Sequence, residues 1–190
     1  MDEVMEQKSS PLQDEEILVQ RARKLDSEAF AQIYEAYFDK IYRYLVVRIR
    51  NEDEAEDLTQ QVFIKVLQSI GAFKSKGVPF SSWIYRIAHN LMVDFMRQQN
   101  KKSTVDIDGL QLPFTGEDPQ QKIEMQVDIK EMKKAIQKLT TSQQEVLSLR
   151  FTGELSIAQC ADIMGKSEGA IKALQHSAVL ALRKALVNEL

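Results

Sequence analysis

LSIAQCADIMGKSEGAIKALQHSAVLALRKAL, residues 155–186, has the apolar rhythm of two helices joined by a tight turn. Ser156 and Gln159 form an S-x-x-Q capping box, in which each side chain satisfies a backbone N–H of the other residue. Gly165 suits the left-handed position that ends a helix, and Ser167 can cap the helix that follows. The stretch therefore predicts a helix-turn-helix, whose second helix commonly enters the major groove of DNA.

The second helix of this motif has an apolar side and a polar side. Between Lys172 and Arg183 it carries no charge, which is unusual for a helix that contacts phosphates. Lys172 can reach phosphate or guanine, and Gln175 can pair with an adenine edge. A purely structural hairpin would show the same period, and its polar side would then be merely solvated. The apolar side comprises Ile171, Leu174, Ala178 and Leu182, and the candidates for DNA contact are Ser167, Glu168, Ala170, Lys172, Gln175 and His176.

Length and composition are ordinary for a globular protein of one or two small domains. The chain has 190 residues, of which 44% are hydrophobic and 28% charged. The single cysteine, Cys160, excludes an internal disulfide, and two distant histidines offer no zinc-ligand spacing. No cofactor or metal is expected. No segment approaches the roughly 20 apolar residues that span a bilayer, so a cytoplasmic protein is expected.

Charge is distributed unevenly around a net value of −3. Residues 81–102 carry four cations against one acid, whereas residues 51–61 carry five acids and no cation. Residues 103–127 carry five acids against one lysine. Alternating basic and acidic segments indicate more than one kind of partner.

Two helices are predicted in the first half of the chain. Asp26 can cap the first, and Asn51 with Glu54 resembles a capping box that opens the second. Apolar residues recur at the three-and-four spacing of one buried face in both. The expected apolar faces are Phe30, Ile33, Tyr34, Tyr37, Ile41, Tyr44 and Leu45 in the first helix, and Ala55, Leu58, Val62, Phe63, Val66 and Ile70 in the second.

A third long helix is expected after a loop at 71–80, with Ser81 or Ser82 as its cap. Its polar residues recur every three or four positions and form one stripe, although a plain surface helix would show the same period. Its expected apolar side comprises Trp83, Ile84, Ile87, Ala88, Leu91 and Phe95, and its polar stripe Arg86, Asn90, Asp94 and Arg97.

The loop at 71–80 combines cations with aromatic rings. Single-stranded nucleic acid needs both, because cations attract its backbone and aromatic faces stack on its bases. The loop residues in question are Phe73, Lys74, Lys76 and Phe80. Trp83 suits the core by its position on the apolar face, although at the rim it can also abut an unstacked base.

The second half of the chain is also predicted to be helical. Residues 103–122 contain Pro113, Gly116 and Pro119 with excess acid, which is typical of a flexible linker. Helices are expected near 121–138 and from about Ser142 to Phe151, ahead of the helix-turn-helix. We therefore expect an all-α protein of two small domains, 13–102 and 123–190, joined by the acidic linker 103–122 and preceded by a disordered segment, 1–12.

Four segments in one order resemble bacterial sigma factors of the extracytoplasmic-function group of the sigma-70 family. They are DSEAFAQIYEAYFDKIYRYL (26–45), DEAEDLTQQVFIKVLQSI (53–70), FSSWIYRIAHNLMVDFMRQQ (80–99) and LTTSQQEVLSLRFTGELSIAQCADIMGKSEGAIKAL (139–174). The resemblance covers nearly everything from Gln13 to Leu186, and four motifs are far more specific than a lone helix-turn-helix.

The resemblance implies a transcription initiation factor with divided roles. The first domain would dock on the clamp helices of core RNA polymerase, through its beta-prime subunit, by Asp53, Glu56, Asp57, Gln60 and Phe63. It would also recognise and melt the minus-10 element of promoter DNA, and the second domain would read the minus-35 element through the helix-turn-helix. The polymerase contacts would involve the beta and beta-prime subunits. The linker would imitate nucleic acid in polymerase channels, and an anti-sigma factor is implied as a further partner. The implied minus-10 residues are Phe73, Lys74, Lys76, Trp83, Arg86, Asn90 and Arg97.

Two departures from the family pattern affect the expected contacts. Family members often have glutamate at Gln61, and arginines where this chain has Leu174, Ser177 and Val179. Loss of about three phosphate contacts lowers affinity for isolated DNA. We therefore expect negligible promoter binding by the free protein and strong binding once polymerase holds both domains at high effective concentration.

The sequence also bears on two other classes of protein. An enzyme is disfavoured because His89 and His176 lie in separate domains and no phosphate loop or paired catalytic carboxylate emerges. The acids at 52–57 lack the glycine and spacing of a calcium loop. The open alternative is a helix-turn-helix regulator that works without polymerase binding, and whose first half senses a ligand or makes a dimer.

Overall fold

The computed structural model describes residues 11–75, 77–102, 132 and 134–187, with side chains for 15–75, 77–99, 132 and 134–187. Every regular element in these ranges is helical. The first four helices form what we call the N-terminal module: α1 (Pro11–Ala22), α2 (Ser27–Ile49), α3 (Glu52–Ser69), a 3-10 turn (Ile70–Ala72) and α4 (Phe80–Lys102). What we call the C-terminal module comprises helical residues 134–137, α5 (Thr141–Leu147), a π-helical turn (Ser148–Thr152), α6 (Ile157–Met164) and α7 (Glu168–Val187). The expected all-α fold is confirmed.

Helix α2 begins where its cap was predicted. The Asp26 carboxylate accepts from the N–H groups of Glu28 and Ala29, both at 3.1 Å. Its predicted apolar face is buried except at two positions, since Tyr34 is exposed and Phe30 is half-buried. The helix ends at Arg50, which adopts a left-handed conformation with φ of 62° and donates back to Val46.

Helix α3 follows at once and buries the face that its period predicts. Asn51 caps it by accepting from the N–H of Glu54 at 3.0 Å. The predicted capping box is not completed by Glu54, whose carboxylate accepts from Gln99 of α4 at 2.8 Å. That contact ties the start of α3 to the far end of α4. The expected inward residues Ala55, Leu58, Val62, Phe63, Val66 and Ile70 are all buried.

Helix α4 begins earlier than expected. The predicted serine cap is wrong, because the helix begins at Phe80 and the N–H of Trp83 donates to the carbonyl of Pro79 at 3.3 Å. Proline at this position costs no helical hydrogen bond. Ser81 and Ser82 therefore lie within the first turn. The side chains that α4 buries most deeply are Ile84, Tyr85, Ala88 and Met92.

The helices of the C-terminal module are set by local capping. A capping box between Thr140 and Gln143 opens α5. The helix predicted from Ser142 to Phe151 is instead divided, since a π-helical turn follows α5 and closes with a bond from the Gly153 N–H to the Ser148 carbonyl at 2.9 Å. Most of the helix expected near 121–138, and the whole linker 103–122, lie outside the described residues.

The two modules share one buried apolar cluster. It runs from α1 and α2 through α3 and α4 into Val146, Leu149 and Leu155 of the C-terminal module. Inside it the rings of Tyr44 and Tyr85 meet edge to face at 5.5 Å between centroids. The structure therefore holds the C-terminal module directly against α2 and α4.

Candidate functional site

One exposed face of α3 carries four of the five residues expected to bind polymerase. Asp53, Glu56, Asp57 and Gln60 are all exposed, and at 100° per residue they lie within about 100° of one another around the helix. Three successive acids in the first turn, Glu52, Asp53 and Glu54, also suit the positive end of the helix dipole. The face is therefore anionic at its N-terminal end.

Phe63, the fifth expected residue, was wrongly assigned to this face. It is 4% exposed, and its ring packs at 4.6 Å from that of Tyr34 and at 6.1 Å from that of Phe38. The helical period turns position 63 toward α2, so the side chain fills the core. Phe63 can support the face but cannot contact a partner directly.

Ile64 and Leu67 complete the same face and were missed by sequence reasoning. They are 55% and 51% exposed, which is high for large apolar side chains on a well-packed helix. The signal was available, because positions 57, 60, 64 and 67 follow the three-and-four period of one surface. We call Asp53, Glu56, Asp57, Gln60, Ile64 and Leu67 the α3 face.

The loop before α4 buries the aromatic rings that were expected to stack on bases. Phe73 is 6% exposed and Phe80 is 4% exposed, and their rings meet edge to face at 5.6 Å. The assignment of both rings to base stacking is therefore wrong. Packing a ring of this size in an apolar cluster has a lower free energy than leaving it exposed to water. Trp83 is half-buried against Phe73 at 5.0 Å. Lys74 is exposed, and Lys76 lies outside the described residues.

A cleft of about 250 Å³ opens between α1 and this loop. Glu15 and Glu16 line one wall, and Val78 and Pro79 line the other. Glu15 also accepts a hydrogen bond from the hydroxyl of Tyr37 in α2. The cleft places a small cavity directly beside the start of α4.

The predicted polar stripe of α4 is present. Arg86, Asn90, Asp94 and Arg97 are all exposed. Arg97 contacts Asp94 at 3.4 Å, one turn away. Arg86 reaches across to the C-terminal module, where it forms an ion pair with Asp162 of α6.

The helix-turn-helix has the predicted caps. Ser156 and Gln159 form a complete capping box at the start of α6, and Gly165 is left-handed at φ of 62°. The N–H of Ala170 donates to the hydroxyl of Ser167 at 3.2 Å, so Ser167 caps α7. Local backbone chemistry therefore fixes the turn between α6 and α7.

The exposed start of α7 carries five of the six residues expected to face DNA. Ser167, Glu168, Ala170, Lys172 and His176 are exposed. Gln175 is half-buried, and its amide oxygen accepts from the Nε–H of Arg150 at 3.1 Å. Gln175 would have to leave Arg150 before pairing with a base.

A polar cluster between the modules was not predicted. Glu145 of α5 is buried, and its carboxylate lies 3.0 Å from Nε of Arg48 and 2.9 Å from Nδ1 of His89. The hydroxyl of Tyr44 donates to it at 2.5 Å. Arg48 also donates to the Gln144 amide oxygen at 2.9 Å. A buried carboxylate and a buried guanidinium thus neutralise each other across the module boundary.

The electrostatics of this cluster favour the charged carboxylate. Burial by itself would raise the pKa of Glu145, but the hydrogen bond with His89 and the charge of Arg48 outweigh it and hold the pKa below its ordinary value of 4.5. Burial raises the pKa of Tyr44 far above its ordinary range, and the nearby Glu145 charge raises it further.

A second cleft, of about 670 Å³, borders the cluster. Its walls come from both modules. They combine cationic side chains with the flexible side chains of methionines. The lining includes Arg48, Met92, Met96, Arg97, Met164 and Lys166.

The described side chains do not support a metal site or a reactive thiol. No group of three potential ligands approaches metal-binding geometry among the residues with described side chains. Cys160 is buried, and burial raises the pKa of its thiol to about 11, so it is a small core residue. None of the described helices combines the length and the apolarity that crossing a membrane requires.

Two family models match the chain, one in each module. Sigma-70 region 2 matches residues 33–102, and Sigma-70, region 4 matches residues 135–184. The α3 face and the α4 stripe lie within the first match, and the second match covers the helix-turn-helix except for the last three residues of α7.

The chain is similar to proteins of the same group across nearly its whole length. It is 35% identical to the ECF RNA polymerase sigma factor BldN of Streptomyces coelicolor, over 90% of this chain and 66% of that protein, just under two thirds of its length. It is 31% identical to the ECF RNA polymerase sigma factor SigW of Bacillus subtilis, over 88% of this chain and 94% of that protein.

The fold is also similar to that of a solved sigma factor. The sigma factor RpoE from Bartonella quintana, crystallised in complex with the anti-sigma factor NepR, superposes with a TM-score of 0.69 and 21% identity, over 83% of this chain and 96% of that one. This likeness concerns the fold. The sequence relatives and the two region matches together establish that the chain belongs to the ECF group of RNA polymerase sigma factors.

Proposed function

We propose that the chain directs core RNA polymerase to specific promoters and helps to melt the minus-10 region, without catalysis of its own. One observation carries the proposal: the α3 face, the α4 stripe and the recognition helix α7 occupy three separate helices within the segments that match regions 2 and 4. Polymerase docking and minus-10 melting belong to residues 13–102, and minus-35 reading to residues 123–190, with 103–122 as the connecting linker. A factor of this kind acts in the cytoplasm.

Docking on polymerase is assigned to the α3 face. Its acidic end offers charge complementarity to a basic surface, which accelerates encounter and fixes orientation. Ile64 and Leu67 at its other end supply apolar area that docking removes from water. An interface that combines an apolar centre with a polar margin is typical of specific protein complexes.

Minus-10 recognition is assigned to the α4 stripe and the adjacent loop. Arg86, Asn90 and Arg97 offer charge and amide groups along one line, and Lys74 adds a cation at the loop. Extracting a base costs a few kcal/mol, which a fitted pocket and stacking at the exposed edge of Trp83 would offset. The cleft beside the loop, at about 250 Å³, is the candidate pocket.

Minus-35 recognition is assigned to the start of α7. Lys172 is the only cation among its six candidate residues, so unaided affinity is low and depends only weakly on salt concentration. Attachment to polymerase would offset this weakness, because a tethered module meets its DNA at high effective concentration.

An anti-sigma factor is the further partner that we propose. The Bartonella quintana sigma factor of similar fold was crystallised with one. In this chain the cleft of about 670 Å³ offers methionines and cations from both modules, a lining that suits an acidic amphipathic helix. Occupancy there would hold the modules together.

Transcription by reconstituted holoenzyme tests the proposed function. Core polymerase with the purified chain and fragmented genomic DNA should start RNA at discrete sites that core alone does not use. Asp57→Arg should weaken core binding, whereas Asn90→Ala should impair promoter opening and leave core binding intact. Gln32→Ala, an exposed amide on α2, serves as the control. If no discrete starts arise above those of core alone, the proposed function is wrong.

A further inference from the structure

The π-helical turn places an arginine against the recognition helix. Arg150 lies within this turn and is half-buried. One end of its guanidinium donates to the carbonyl of Leu155, immediately before α6. Its Nε–H donates to the amide oxygen of Gln175 in α7 at 3.1 Å. The guanidinium is therefore fixed at two points, and it holds one side chain of α7.

This contact decides which way the amide of Gln175 points. A guanidinium has N–H donors and no acceptor, so only the oxygen of the amide can face Arg150. The amide nitrogen must then point away from Arg150. Its Nε2 group has no hydrogen-bond partner among the described residues and is not fully buried. Gln175 therefore presents hydrogen-bond donors only.

These donors lie on the side of α7 assigned to minus-35 reading. Glu168, Lys172 and Gln175 lie within about 60° of one another around the helix at 100° per residue, and the first two are exposed. Between Lys172 and Arg183 the helix carries no charge. Base selection beyond Lys172 therefore depends on neutral polar groups such as this amide.

A group that only donates distinguishes guanine from adenine. Guanine presents two adjacent acceptors in the major groove, N7 and O6, whereas adenine presents N7 beside the N6 amino donor. Thymine offers a single acceptor, O4. Pairing with an adenine edge uses both ends of the amide, so Gln175 would first have to leave Arg150. Donation to guanine leaves the bond with Arg150 intact.

We propose that Arg150 is a positioning residue for minus-35 recognition, which holds Gln175 as a donor that selects guanine over adenine. This inference rests on the proposed function, in which the start of α7 reads the minus-35 element. Two hydrogen bonds to one base correspond to about 5-fold to 150-fold discrimination. The lower part of that range, about tenfold, is expected for a single amide group.

Transcription by the holoenzyme from a promoter library tests the selection. A promoter at which the holoenzyme starts RNA is randomised around minus-35, and the transcripts are sequenced. The unmodified chain should prefer guanine over adenine about tenfold at one position. Gln175→Met removes the donors and should abolish the preference at that position alone.

An isosteric change should reverse the preference. Gln175→Glu puts an acceptor oxygen where the N–H donors were, while Arg150 still holds the other oxygen. The preference at the same position should then move to a base with an exocyclic amine, cytosine or adenine. Gln32→Glu, the same change at an exposed position of α2, should leave every position unchanged.

The positioning role of Arg150 is tested in the same library. Arg150→Met frees the amide, which can then pair with adenine, so the guanine preference should fall to within about twofold. Arg150→Lys should retain the preference, because an ammonium also donates and cannot accept. A purely structural role would instead lower promoter use without changing the base preference. Circular dichroism verifies that each variant folds.

Three results would overturn the inference. They are an unmodified chain that prefers adenine at the position governed by Gln175, folded Gln175 variants whose base preferences match those of the unmodified chain throughout, and a folded Arg150→Met variant that retains the guanine preference. Failure of the proposed function looks different. In that case the unmodified chain gives no discrete starts with core polymerase, whereas failure of this inference alone leaves the starts in place.

Discussion

Replacing Ile64 and Leu67 together by alanine should weaken core polymerase binding about 30-fold while leaving the fold intact. Both side chains point outward from α3, with 55% and 51% of their surface exposed. The half of each side chain that is already buried lies at the rim of the core. The double variant should therefore remain folded, with a free energy of unfolding lower by about 2 kcal/mol.

The magnitude follows from the exposed fraction. Full burial of a leucine or isoleucine side chain is worth about 1.5–3 kcal/mol. Roughly half of each side chain is already buried, so docking can remove the remaining half from water for about 1 kcal/mol per residue. Two residues together give about 2 kcal/mol, which is about 30-fold in Kd.

Fluorescence anisotropy of the labelled chain titrated with core polymerase measures this Kd. Ile17→Ala on α1 is the matched control, because Ile17 is 56% exposed but lies outside the α3 face. Thermal unfolding monitors the fold of both variants. A double variant that binds core within twofold of the unmodified chain would refute the assignment of Ile64 and Leu67 to the interface.

Three further outcomes are expected. Asp26→Ala removes the cap of α2 and should lower the free energy of unfolding by about 1 kcal/mol, seen as a lower Tm; an unchanged Tm would mean that the cap contributes nothing. The pKa of Glu145 is lowered in the folded chain, so its stabilising contribution is present above about pH 4.5 and lost as the pH falls through the lower folded value. Thermal unfolding should therefore show Tm falling as the pH drops through that range, and a Glu145→Gln variant with the same pH dependence would contradict the assignment. Cys160, with a pKa of about 11, should resist alkylation at pH 8 until denaturant is added; rapid labelling of the native chain would contradict its burial.

Local signals in the sequence predicted the helices and most of their ends. The caps at Asp26, Asn51 and Ser156 act over two or three residues, so sequence alone determines them. The same holds for the left-handed turn at Gly165. The predicted cap at Ser81 or Ser82 failed because α4 begins after Pro79, two or three residues earlier. A serine close to a proline does not by itself show at which residue a helix begins. The packing of Phe80 decides this for α4, and the sequence alone does not show that packing.

The sequence predicted the residues of the candidate binding faces less accurately than it predicted the helices. The polar α4 stripe depends only on helical period and was found, and the family resemblance indicated the acidic part of the α3 face. The resemblance also indicated Phe63 as a docking residue, although its period placed it on the buried side of α3. Phe73 was assigned to base stacking because its residue type suited that role. Tertiary packing buries both rings. Type alone does not distinguish an aromatic ring that meets a partner from one that fills the core.

The sequence by itself determined the helical fold, the helix-turn-helix and the kinship with sigma factors, because each depends on short-range patterns. Only the tertiary structure decided how the modules meet. Glu145 lies 101 positions from Tyr44 and 56 from His89 along the chain, and in the sequence it is one more polar residue of a short helix. Its role arises from burial beside Arg48, and the free energy of a buried charge depends on neighbours that no local pattern specifies.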